Sequence, residues 1–175
     1  MKKLQLVVAL LLTFAVPPSI RAAEPAPAAT PLATLASFVG GVWSGDLPRE
    51  KDGPEMKIEL RFTWAENKRA LRFDSFFVQG DKRSPYTSGM YGWNPATKKF
   101  VIFYTDNSGS LVEGPVTPVG DMLVHELTII DAKGKVDTAL VRLARESADA
   151  FTNTIYLRKN DAWEKFVEVH YVRHS

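Results

Sequence analysis

Met56-Lys57-Ile58-Glu59-Leu60-Arg61-Phe62-Thr63-Trp64 decides the fold of this chain. Five apolar residues alternate with four polar ones, and a period of two places all five on one face of an extended strand. A helix would scatter the same residues around its circumference. The alternation also fixes register, because a slip of one residue would bury Lys57, Glu59 and Arg61.

Outward from this stretch the same period recurs. It begins at Val42 and returns over 71–79, 86–93, 100–105, 111–117, 122–130, 136–144, 151–158 and 163–173. The runs are separated by turn formers such as Gly80-Asp81, Asn94-Pro95, Asn107-Ser108-Gly109, Gly120-Asp121, Lys133-Gly134 and Asn160-Asp161. Links this short join antiparallel neighbours, since a parallel crossover needs a dozen or more residues. The predicted fold is all-β: an antiparallel up-and-down barrel of about ten strands, with the first strand meeting the last. A β-sandwich is the alternative. A barrel of about ten strands is too wide for its own side chains to fill completely.

The N-terminus reads as an export signal. Lys2 and Lys3 precede a short apolar run, Pro17-Pro18 breaks it, and small residues follow, so cleavage is expected near Ala22 or Ala23. An uncleaved anchor is the other reading of this segment. The expected organisation is a signal over 1–23, a Pro/Ala linker over 24–30 and one domain over 31–175. The location would be periplasmic or secreted, without stable membrane insertion once the signal is removed. Removing 1–23 takes away Lys2, Lys3 and Arg21, so 19 basic side chains face 20 acidic ones and the formal charge falls from +2 to −1. Such a balance argues against bulk binding to nucleic acid. The sequence contains no cysteine, which excludes disulfides, thiolate metal sites and lipidation at cysteine within it.

Thr30-Pro31 suits a helix start, with Leu32, Leu35, Ala36 and Val39 recurring at helical spacing and Gly40-Gly41 ending the segment. Two turns of helix are unstable alone, so this one should rest on an end of the barrel. The charged link 48–54 has a proline at each end. It reads as a solvated loop or as a lip at a cavity mouth.

Gly41-Val42-Trp43-Ser44-Gly45 follows the helix, and Tyr91-Gly92-Trp93-Asn94-Pro95 closes a later strand. A Gly-x-Trp on the first strand after a short helix resembles the calycin superfamily, in particular secreted bacterial lipocalin-like proteins. More distantly the chain is similar to nitrobindins and fatty-acid-binding proteins. The likeness covers about residues 32–173. It implies a barrel with an internal site for a small apolar ligand and a structural role for the motif residues Gly41, Trp43 and Gly45. In that group the tryptophan commonly forms a floor. Nitrobindins carry haem on a histidine near the C-terminus, which only His170 matches by position. Yet Val167, Val169 and Tyr171 look like the inward set of the last strand, which would turn His170 outward. Fatty-acid-binding proteins hold a carboxylate with an arginine and a tyrosine two positions apart. Tyr171 and Arg173 present that pair in reversed order.

No nucleophile elbow, phosphate loop or dinucleotide fingerprint is present, and no catalytic residue is assigned. His125 opens a His-Glu pair, but no second histidine follows at zinc-protease spacing. It alternates with Leu123, Leu127 and Ile129, so it is either a hydrogen-bonded core histidine or a polar contact inside the cavity. The candidate ligand-lining set is Phe62, Trp64, Phe73, Phe77, Tyr104, His125 and Tyr171. These rings could instead pack the interior solid. The leading expectation is an exported, non-covalent binder of a small hydrophobic molecule, with no cofactor. The alternatives are a haem protein or small-molecule enzyme, and an interaction module with a filled barrel. Oligomeric state is not encoded legibly.

Overall fold

A computed structural model of the protein describes residues 31–49 and 53–174. The expected signal, the linker with Thr30, and Glu50, Lys51 and Asp52 of the charged loop lie outside the described residues. A helix at Pro31–Phe38 leads into ten strands: β1 (Val42–Asp46), β2 (Lys57–Trp64), β3 (Ala70–Gln79), β4 (Lys82–Asn94), β5 (Lys99–Asp106), β6 (Leu111–Val119), β7 (Met122–Ile130), β8 (Val136–Arg145), β9 (Ala150–Lys159) and β10 (Ala162–His174). Each strand pairs antiparallel with the next, and β1 closes on β10 with Trp43 opposite Arg173. The sheet is a closed barrel, which excludes the two-sheet sandwich.

The alternation of 56–64 holds as read. Ile58 and Phe62 are buried while Lys57 and Arg61 are exposed. The strand least well read is β4, which starts four residues early. Gly80 takes a φ of 56°, so pairing begins at once after a two-residue turn, with Gln79 opposite Lys82. Two register shifts follow from single extra residues. One falls at Tyr86 on β4, because Ser75 faces Thr87 but Phe76 faces Pro85. The other falls at Phe166 on β10, between Lys165 opposite Tyr156 and Val167 opposite Ile155.

The N-terminal helix is a 3₁₀ helix rather than an α-helix. At three residues per turn, Leu32, Leu35 and Phe38 line one side, and all three are buried. Of the four residues at α-helical spacing, Leu32 and Leu35 are therefore buried, while Ala36 is exposed and Val39 only half-buried, and Phe38 takes the third inward place. The helix caps the end of the barrel where β1 begins. There Trp43 donates its indole N–H to the Phe38 carbonyl at 2.8 Å. Its ring meets Phe151 at 4.9 Å between centroids, and Phe38 meets Phe62 at 5.4 Å. A Cβ at Gly45 would lie 2.5 Å from the His170 carbonyl oxygen, so only glycine lets β1 approach β10 at this seam. Arg173 lies over the Trp43 ring at 4.3 Å, bonds the carbonyls of Ser37 and Ala148, and pairs with Asp149 at 3.3 Å. This end is a packed floor.

Candidate functional site

Above the floor the interior is hollow. A cavity of about 410 Å³ opens at the opposite end, where the β1–β2, β3–β4 and β9–β10 connections lie. Leu47, Phe77, Tyr86 and Phe166 stand at its mouth. The volume falls in the range of small-molecule sites. Among the described residues, no Asp, Glu, Lys or Arg lines it.

The barrel brings six of the seven sequence-proposed liners to this space: Phe62, Phe73, Phe77, Tyr104, His125 and Tyr171. Trp64 is the correction. It shares the inward face of Phe62 but is the last residue of β2, at the helix-capped end, where it packs half-buried against the core below the cavity. Face parity sets which side a residue takes; height along the strand sets whether it reaches the cavity.

His125 is the buried polar centre, 2% exposed. Its Nδ1 lies 3.3 Å from the Val141 carbonyl, which can only accept, so Nδ1 carries the proton. Nε2 is then an acceptor and takes the Tyr91 hydroxyl proton at 3.1 Å. Burial pulls the imidazole down from 6.5 to about 4, against the opposing pull of the Val141 hydrogen bond, and the ring is neutral at pH 7. Burial likewise pushes the phenols of Tyr91, Tyr104 and Tyr171 up from their ordinary value, so all three stay protonated. Asp106 and Tyr86 add to the rise at Tyr104.

Sequence reasoning missed Tyr91, Ser75, Thr87, Tyr86 and Asn153 as liners. Asn153 carried the same signal as His125, a polar residue alternating with apolar Phe151, Ile155 and Leu157. Its Oδ1 is buried without a hydrogen-bond partner among the described residues. Ser75 and Thr87 pair with each other at 2.5 Å on the wall.

His170 lies outside the cavity. Its ring faces the outer surface, with Nδ1 3.1 Å from Glu146. The residues present do not fit a haem held in the cavity by His170. The one imidazole inside, His125, has both ring nitrogens engaged. His174 is also turned away, against the Ser44 hydroxyl at 2.8 Å. The carboxylate-holding pair implied by the resemblance is split: Tyr171 faces the cavity, while the Arg173 guanidinium is used under the floor.

A ten-strand antiparallel up-and-down barrel with this hollow is compatible with a calycin-like fold. No protein-family model matches the chain, and no curated protein matches it.

Proposed function

We propose that this protein is an exported, calycin-like barrel that binds a small apolar molecule non-covalently. The carrying observation is the cavity of about 410 Å³, uncharged and rimmed by aromatic rings. The driving force is desolvation. Burying about 300 Å² of apolar ligand surface contributes roughly 7 kcal/mol before association costs, so desolvation alone gives micromolar affinity at best. Among the described residues the cavity lining holds no carboxylate–imidazole pair for acid–base chemistry, which supports carriage rather than catalysis. The outer face of β2 bears Lys57, Glu59 and Arg61. A lipid-facing wall would be apolar there, so these charges favour a barrel in water.

The test is a titration of the domain with Nile red, an uncharged dye whose emission shifts to the blue in apolar surroundings. One saturable site is expected, weakened at least about tenfold by Val167→Trp, which fills space at the wall. Absence of saturable binding by Nile red and by retinol would overturn the reading. The intact mass of protein recovered from its host tests export. Cleavage near Ala22 or Ala23 is expected; retention of residues 1–23 would contradict it.

A further inference from the structure

The cavity has a polar pole whose hydrogen-bonding directions are already set. Tyr91 spends its single hydroxyl proton on His125 Nε2, so its oxygen offers only lone pairs to the interior. Tyr104, on the neighbouring strand β5, lines the same cavity, and its hydroxyl has no hydrogen-bond partner among the described residues. The paired strands β4 and β5 therefore carry an acceptor oxygen and a donor hydroxyl, with Tyr91 opposite Ile102 and Tyr104 two residues further along β5. Among the described residues no cation lines the space, and Arg173, the nearest counterpart of a carboxylate clamp, is held by Asp149 and three carbonyls below the floor.

We propose that the guest is uncharged and carries a hydroxyl, which donates to the Tyr91 oxygen and accepts from Tyr104, and that carboxylates are excluded. This rests on the binding reading above. A carboxylate entering the cavity would lose its hydration without gaining a cation, a penalty that neutral hydrogen bonds do not repay. The field at the mouth has the same sign. Asp106 already disfavours a negative charge on Tyr86 and Tyr104, and it would disfavour one on a guest. A hydroxyl guest matches the pole because it is donor and acceptor at once. A guest with acceptors only leaves the Tyr91 oxygen unanswered, which costs about the worth of one hydrogen bond.

The experiment displaces Nile red at pH 7.5 with three molecules of one skeleton: 2-naphthol, 2-methoxynaphthalene and 2-naphthoate. 2-Naphthol should displace the dye at about tenfold lower concentration than the methyl ether, the equivalent of one neutral hydrogen bond. 2-Naphthoate should be weaker still, by about a further tenfold or more. In Tyr91→Phe the preference for naphthol over the ether, each displacement referred to the dye affinity measured on that variant, should shrink to within about threefold. Naphthoate binding as tightly as naphthol would overturn the inference and leave the binding reading standing. So would a naphthol preference that survives Tyr91→Phe. Failure of Nile red itself to bind would overturn the binding reading and this inference with it.

Discussion

At the floor, Trp43 meets Phe38 and Phe151 with centroids 6.0 and 4.9 Å apart, and all three rings are buried. At the mouth, Phe77 and Tyr86 stack on each other at 4.2 Å and border open space. Both ends belong to one closed sheet with one strand count. Circumference therefore does not decide whether a layer of the barrel is filled. The floor is solid because the 3₁₀ helix delivers Leu32, Leu35 and Phe38 from outside the sheet. The layers above have only their own side chains, among them Ser75, Thr87, Val141, Asn153 and Val169, which are too small to meet across the axis.

The largest test of this contrast is a matched pair of truncations. Phe151→Ala in the floor should cost about 3–5 kcal/mol in urea unfolding, since the side chain is fully buried and the site cannot collapse. Phe77→Ala at the mouth should cost about 1 kcal/mol, because that ring already borders a void. Equal losses would dissolve the distinction between the two ends.

Next comes acid. His125 binds a proton in the unfolded chain near 6.5 but in the fold only near 4. Its neutral form is the native one, so its contribution is intact above pH 6.5 and is lost as pH falls towards 4. The loss amounts to about 3 kcal/mol over that window. Urea midpoints measured from pH 7 to pH 4 should fall accordingly, and His125→Gln should flatten that slope. An unchanged slope in the variant would place the acid sensitivity elsewhere.

A smaller effect concerns the tie beneath the floor. Arg173→Met keeps an unbranched side chain but takes the guanidinium away from the Trp43 ring, from the Ser37, Val39 and Ala148 carbonyls and from Asp149. It should destabilise the fold by about 1–2 kcal/mol and leave Nile red affinity unchanged. A loss of dye affinity in this variant would mean that Arg173 serves the cavity after all. The smallest effect is Phe166→Ala. This ring is 69% exposed at the mouth, so stability should move by less than about 0.5 kcal/mol. Stopped-flow release of Nile red should quicken, because the rim loses one of its rings. Release at the wild-type rate would remove Phe166 from the entry path.

The fold was legible because alternation is a strong local signal and each turn carried its own chemistry, as Gly80 and Asn160-Asp161 show with their positive φ angles. The inward face was legible for the same reason, which is how His125 could be read. Height was not legible. Trp64 and Phe62 have the same parity, and only their height in the closed sheet puts Phe62 on the cavity wall and Trp64 below it. The extra residues Tyr86 and Phe166 were hidden because a bulge changes face without changing composition. Tyr91 was read as part of a turn motif; its partnership with His125 joins strands β4 and β7, far apart in sequence. Asn153 could have been found by the alternation that found His125.

The central claim is that the half of the barrel above the floor holds a guest. Anomalous diffraction from crystals grown with 4-iodophenol tests it directly. The account predicts one strong iodine site inside the wall, enclosed by Phe73, Tyr104 and Val169. Iodine found only on the outer surface, with those side chains closed over the axis, would contradict it.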